Sequence, residues 1–294
     1  MRVSQITQCL SRVNLALIPS VEAHLAHPTV QELFDLTGKV ALVTGGARHL
    51  GYDMATALAE AGADLAVTSR VLADAEAAAC RIAAASGRRA AGFACDVRFE
   101  EQVAATVDAV LAEFGKIDIL INNAGNVVST PASKPLEQRP VEEWQFTVDV
   151  NLKGSFLCAK HVVAKAMKPA GGGVIVNLGS VAGMGGKDHR IYEGTNMGGV
   201  TVDYAAAKGG VINMTREMAC WLARYNIRVN CISPGGFWRG HDETFTRQYS
   251  YLVPMGRMGR DGKEMKGAVV FLASEASSYV TGINLPVDGG MMAW

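Results

Sequence analysis

The chain has 294 residues, 49% of them hydrophobic, and its 28 lysines and arginines balance its 28 aspartates and glutamates. That length suits one or two domains with a large core, and a balanced charge supplies no field for nucleic acid or an anionic membrane. Nucleic-acid binding and membrane insertion therefore fall outside the expected functions, the second because no apolar run reaches the roughly 18 residues of a membrane span.

The cysteines, Cys9, Cys80, Cys95, Cys158, Cys220 and Cys231, form no CxxC pair, and the histidines show no HExxH spacing. This predicts reduced thiols, a cytoplasmic protein and no metal site. Residues 1–35 stand apart: Arg2 and Arg12 with no acid before Glu22 faintly resemble a targeting segment. Polar residues interrupt any long apolar core there, which fits a secretory signal poorly. The expectation is an N-terminal arm, or an over-extended start, ahead of one domain over 36–294.

From Lys39 the pattern alternates. Val40–Thr44 is a short apolar run closed by glycines, as a buried strand should be, and Leu50–Ala61 reads as a helix. Strand, helix and strand follow at Asp64–Ser69, Ala73–Ala85 and Ala90–Asp96, then a helix near Glu100–Phe114 and a strand at Ile117–Asn123. A helical stretch near Asn151–Met167 leads to strands at Gly173–Ser180, Ile227–Ser233 and Ile283–Asp288. Apolar strands joined by helices predict an α/β fold with a mostly parallel sheet covered on both faces. Ligands of such sheets sit at the carboxyl ends of the strands, so the informative residues should follow each strand.

TGGARHLG, Thr44–Gly51, follows the first strand and opens a helix. Glycines there let backbone approach a pyrophosphate, and the helix N-terminus offers unpaired N–H groups and a positive dipole end. Gly45, Arg48, Leu50 and Gly51 are the expected cofactor contacts; alone, such a turn is a weak signal, and the alternative is an ordinary strand–helix connection. The second strand ends Thr68, Ser69, Arg70, where a NAD-binding Rossmann domain usually carries Asp or Glu for the ribose hydroxyls. With no acid there, Ser69 and Arg70, assisted by Arg48, suit a 2′-phosphate. NADP(H) is favoured and NAD(H) stays open; the alternative is that both arginines are solvated surface residues.

In order and context these motifs resemble the short-chain dehydrogenase/reductase family over about residues 36–294. The glycine stretch is similar to the family's TGxxxGxG, with Thr44, Gly45 and Gly51 in place and His49 at the middle glycine. His lacks glycine's freedom at positive φ, so the local backbone is open at that point. NNAG, Asn122–Gly125, matches the motif after the fourth strand and adds Asn123, Ala124 and Gly125 to the expected contacts. Asp96 and Val97 resemble the adenine-side contact. Asn151 in VNLKGSF matches the family's active-site asparagine, Ser180 its catalytic serine, and YAAAK its tyrosine and lysine, Tyr204 and Lys208. SPGG, Ser233–Gly236, resembles the turn beside the nicotinamide, with Pro234, Gly235 and Phe237 as contacts. The opening LFDLTGKVALVTGGARHLG and the tail from Gly256 are similar to gluconate dehydrogenases and related sugar or polyol oxidoreductases. The resemblance implies a Rossmann-like doubly wound sheet of about seven strands, a small-molecule substrate and a homo-oligomer, tetramer or dimer.

Reducing a ketone needs a hydride, which the nicotinamide supplies, and a proton. The family likeness gives the proton to Tyr204. A free phenol has a pKa of about 10, and Lys208, one helical turn on, can favour the phenolate and reach the nicotinamide ribose. Ser180 would hold the substrate oxygen and Asn151 a water linking Lys208 to solvent. Tyr192 has no lysine one turn on and receives no proton-transfer role. Ser180 and Tyr204 lie farther apart than is usual in the family, which implies an insertion, KDHRIYEGTNMGG, projecting from the rim. It is expected to offer polar groups, Glu193 among them, to a hydroxylated substrate, or else to be a solvated loop or subunit contact. Gly235–Phe245 is a second rim segment, read as a lid with Phe237 and Trp238 over the nicotinamide. The leading expectation is an NADP(H)-dependent oxidoreductase of a sugar, sugar acid or polyol. A 3-oxoacyl or other carbonyl reductase, and a nucleotide-sensing regulator without catalysis, are the alternatives.

Overall fold

Val40–Val43 (β1) and Ile119–Asn122 (β4) are buried along their whole length, and their side chains divide between the two faces of a sheet. Val43 and Ile121 point into one core with Leu58, Leu65, Met265 and Leu272; Leu42 and Leu120 point into the other with Val107, Leu157, Met167 and Val229. This alternation is the pleat read out in burial. Apolar residues at every position of these strands follow from helices packing on both sides.

The computed structural model describes residues 27–125 and 136–294. Contacts divide the chain into Met1–Leu33 and Phe34–Trp294. Of the expected N-terminal arm, residues 1–26 lie outside the described residues. At the start of the description Thr29 and Glu32 form a reciprocal capping box that opens the Val30–Phe34 helix: Thr29 N–H donates to Glu32 Oε2 at 2.6 Å, and Glu32 N–H to Thr29 Oγ1 at 3.2 Å.

The other sheet strands are Asp64–Ser69 (β2), Ala90–Ala94 (β3), Gly173–Leu178 (β5), Ile227–Pro234 (β6) and Asn284–Val287 (β9), and the order across the sheet is β3-β2-β1-β4-β5-β6-β9. All pairs are parallel. The chain builds outward from β1 to β3, then returns to the other side of β1 to place β4. Between β1 and β4 the winding reverses, which opens a crevice at their carboxyl ends. The α/β class, the parallel sheet and its seven strands agree with the reading of the sequence.

Three features were not legible beforehand. The stretch expected as one helix over Asn151–Met167 holds two wide π turns, Asp149–Lys153 and Val163–Met167, flanking the α-helical Gly154–Val162. A two-stranded ladder pairs Phe237–Trp238 (β7) with Gly259–Arg260 (β8). The insertion after Ser180 does not project: its 3-10 turn His189–Tyr192 packs on the Glu243–Tyr251 helix, with Ile191, Phe245, Tyr249, Val253 and Met258 buried together.

Candidate active site

The glycine turn after β1 is braced from β4. Thr44 Oγ1 accepts the N–H groups of Asn123 and Ala124, each at 3.0 Å, and the Asn123 amide donates to the carbonyls of Thr44 and Gly45, each at 2.9 Å. Asn123 therefore lines the cleft while its amide holds the turn together. Gly45 sits at φ +61°, and a Cβ on Gly51 would run into Asn123 and the Gly45 carbonyl. Both glycines are required, one by conformation and one by space.

His49, at the position of the motif's middle glycine, adopts φ +52°, in the left-handed region that favours glycine. Holding a residue with a Cβ in that region costs about 1–2 kcal/mol. The imidazole stands 3.9 Å from the Asp261 carboxylate, which Arg239 grips at 2.7 and 3.1 Å. Burial and the Arg239 charge hold it below the ordinary histidine range.

The four expected catalytic residues and the expected cofactor contacts of the motifs line one cleft of about 1150 Å³. At the nucleotide end lie Gly45, Arg48, Leu50, Gly51, Ser69, Arg70, Asp96, Val97, Asn123, Ala124 and Gly125. Arg81 and Arg98 join them unannounced by any motif. Arg98 holds both oxygens of Asp96, at 3.0 and 2.6 Å, and this keeps the carboxyl below the usual range. A glycine cradle beside the exposed Arg48 and Arg70 fits a phosphorylated dinucleotide.

At the other end the four polar residues converge. Ser180 follows β5 and caps the short turn Val181–Gly183, its Oγ accepting the Ala182 N–H at 3.1 Å. Tyr204 and Lys208 share one face of the Val202–Leu222 helix, with the ammonium 5.7 Å from the phenol ring centre. The Ser180 hydroxyl is near enough to the Tyr204 phenol to favour its ionised form. Lys208 Nζ donates to the Leu178 carbonyl at 2.7 Å. Asn151 stands on the first π turn, its amide on the Thr147 carbonyl at 3.0 Å and its own carbonyl accepting Ser155 Oγ at 3.1 Å. A Cβ on Gly125 would stand 2.8 Å from Asn151 Oδ1 and 3.6 Å from Lys208 Nζ, so these groups meet above that glycine. The lysine-bearing helix is tied to the sheet by a buried chain: Asn122 donates to Asn177 at 2.9 Å, and Asn177 to Thr215 at 3.0 Å.

Burial raises the Tyr204 phenol above its ordinary value, with the Ser180 hydroxyl working against it. Burial also pulls Lys208 down to about 8. The expected lowering of Tyr204 by Lys208 is thus not the dominant effect; desolvation is.

Other expectations at the rim need correcting. Trp238 is 55% exposed and does not line the cleft, whereas the buried Phe237 does, with Pro234 and Gly235. Glu193 is not on the cleft either, and Asp188 and Arg190 pair with each other at 2.7 Å in the open. From the insertion, Lys187, Tyr192 and Met197 form the wall. Arg139 and Asp203, a buried ion pair beside Tyr204, were missed because neither sits in a motif.

Among the described residues no helix is long and apolar enough to cross a membrane, and no cluster of three or more His, Cys, Asp or Glu side chains could hold a metal ion.

A family model described as enoyl-(acyl carrier protein) reductase matches residues 45–292. The chain is 38% identical to D-threitol dehydrogenase of Mycolicibacterium smegmatis, over 87% of this chain and 94% of that one. It is 37% identical to 2-dehydro-3-deoxy-D-gluconate 5-dehydrogenase of Formosa agariphila, over 89% and 96%. A crystal structure of a gluconate 5-dehydrogenase from Burkholderia cenocepacia, in complex with NADP and tartrate, superposes with a TM-score of 0.81 at 34% identity, covering 90% of this chain and all of that one. Together with the fold and the convergent Ser180, Tyr204 and Lys208, these likenesses lead to one conclusion: the chain belongs to the short-chain dehydrogenase/reductase family, enzymes that interconvert alcohols and ketones with a nicotinamide cofactor.

Proposed function

We propose that the protein is an NADP(H)-dependent oxidoreductase that interconverts a secondary alcohol and a ketone on a sugar, a sugar acid or a polyol. The observation that carries this reading is the meeting of Asn151, Ser180, Tyr204 and Lys208 at one end of a cleft whose other end is lined by arginines. When bound, the nicotinamide supplies or accepts the hydride. In reduction Tyr204 gives its phenolic proton to the carbonyl oxygen; in oxidation it takes the alcohol proton. Its raised pKa keeps it protonated near neutral pH, the state that reduction needs. Ser180, beside Tyr204, holds the reacting oxygen. Lys208 stabilises the phenolate left after proton transfer. Asn151, beside Lys208, is assigned the water that reconnects it to solvent.

Arg70, with Arg48, is assigned to the 2′-phosphate, and Gly45, Leu50 and Gly51 to the pyrophosphate turn. The polyol and sugar-acid relatives support the substrate class, and the NADP-bound neighbour supports the cofactor. Residues 36–294 are assigned to the catalytic domain and 1–35 to an arm. A cytoplasmic homo-oligomer, dimer or tetramer, completes the reading. The test is a panel of polyols, aldonates and simple ketones run with NADP(H) and NAD(H). Turnover of hydroxylated substrates with NADP(H) preferred is the expected result; activity restricted to acyl thioesters, or preference for NADH, would overturn it.

A further inference from the structure

Lys187, like Arg48, Arg70, Arg81 and Lys208 on the cleft wall, takes part in no ion pair among the described residues. Arg98 is paired with Asp96 and Arg239 with Asp261, whereas no carboxylate among the described residues lies within ion-pair distance of Lys187. Its Nζ donates to Met291 Sδ at 3.4 Å and stands 5.3 Å from the centre of the Tyr249 ring. Asp288, the acid whose field reaches it, is already occupied: its two oxygens accept the N–H groups of Gly290 and Met292, each at 2.9 Å. A thioether and a ring face are weak partners for an ammonium taken out of water, and such a charge is costly unless an anion joins it. Burial lowers its pKa only to about 8, so it remains mostly charged near neutral pH.

Its position is on the substrate side. The loop that carries it leaves the short turn capped by Ser180. Tyr249, whose ring it faces, accepts the Gly236 N–H through its hydroxyl and so touches the turn assigned to the nicotinamide. The wall around it is aromatic. Tyr192 stacks on Phe245 at 5.5 Å and 20°, and Phe245 leans on Tyr249 at 5.7 Å. A wall of this kind excludes water, which strengthens any charge pair formed against it. The complementary ligand has C–H faces for the rings and an anionic end for the lysine.

We propose that Lys187 anchors a substrate carboxylate, so that the substrate is a hydroxy acid, or its oxo acid, and not a neutral polyol. The proposal rests on the dehydrogenase reading above and deepens it. The shared chemistry, a carboxylate some carbons away from a secondary hydroxyl, occurs in open-chain polyhydroxy acids and in alicyclic hydroxy acids.

The test separates these sources by paired substrates: D-gluconate against sorbitol, and 4-hydroxycyclohexanecarboxylate against its methyl ester, each oxidised with NADP⁺ by the wild type and by Lys187→Met. The wild type should prefer the acid in at least one pair. Lys187→Met should then lower kcat/KM for that acid by about tenfold to a hundredfold, the range of a lost charge-assisted hydrogen bond, chiefly through KM. The neutral partner should change by less than about threefold on the same scale, and calorimetry should show the acid's affinity falling in proportion. NADPH affinity serves as the folding control and should hold. Equal losses on acid and neutral partner, or no loss on either, would overturn the anchor and leave the dehydrogenase reading standing. A wild type that oxidises none of the four would overturn both.

Discussion

Arg139 grips Asp203, the residue before Tyr204, through two nitrogens, Nε to Oδ1 at 3.1 Å and Nη2 to Oδ2 at 2.8 Å. The Asp203 side chain is fully buried and that of Arg139 is 6% exposed, and the same guanidinium reaches Glu143 at 2.7 Å. The pair locks the start of the tyrosine-bearing helix to the Val141–Val148 helix. Removing one partner of a buried pair costs about 3–5 kcal/mol, so Arg139→Ala should lower the melting temperature sharply. Whatever folded protein remains should lose kcat more than cofactor affinity, because the helix start carries Tyr204.

The same pair carries a pH signature. Burial alone would raise the Asp203 carboxyl, but hydrogen bonding, led by the two bonds from Arg139, brings it below the usual range. The folded value is therefore lower than the unfolded one, about 3.9. The stabilisation is fully present above the unfolded value and is lost as pH falls through the folded one. Melting curves of the wild type and Asp203→Asn should differ most near pH 7 and converge below about pH 4. A gap that stays constant down to pH 3 would contradict this.

Tyr204→Phe removes the ionisable hydroxyl and keeps the ring. General acid–base help is worth about a hundredfold to ten-thousandfold, so turnover should fall at least about a hundredfold while NADPH still binds. Tyr192→Phe touches the cleft wall and should alter KM more than kcat. Steady-state kinetics with fluorescence titration of NADPH checks both, and near-normal turnover in Tyr204→Phe would remove the tyrosine from its assigned role.

Arg70 is exposed and lines the nucleotide end. A hydrogen bond to a charged group contributes about 1.5–3 kcal/mol, so Arg70→Ala should weaken NADPH by roughly 10–150-fold and leave NADH nearly unchanged. Equal losses for the two cofactors would count against a 2′-phosphate contact.

His49 is held at positive φ, where a Cβ is penalised and β-branching is penalised further. His49→Gly should be at least as stable as the wild type, and His49→Val less stable by about 1–2 kcal/mol. If all three melt together, the backbone of the turn has moved with substitution.

The sheet could be read from the sequence because its strands are buried on both faces and show as continuous apolar runs such as VALV and ILIN. Asn151, Ser180, Tyr204 and Lys208 were legible because each sits in a short motif after a strand or on a helix face. Lys187 carried no such mark: only the packing of the insertion on Phe245 and Tyr249 distinguishes it from the neighbouring Asp188 and Arg190, which face outward. Arg139 and Asp203 escaped for a related reason, since their pairing spans distant segments of the chain. Glu193 misled because polarity in a loop does not indicate which way a side chain faces. The lysine's effect on Tyr204 was overestimated because the helical spacing fixes proximity but says nothing of the water lost around both groups.

Asn151 owes its place to the wide turn Asp149–Lys153, whose hydrogen bonds enclose one residue more than an α turn. In length such a turn amounts to one residue inserted into an α-helix. Deleting a residue there would restore α-helical register and swing everything beyond it by about 100° relative to what precedes it. Either Asn151 would leave the cleft, or Gly154, where a side chain would strike Val97, would turn away from the sheet. No point substitution reverses the insertion, so a descendant that keeps this helix docked keeps the aim of its asparagine as well.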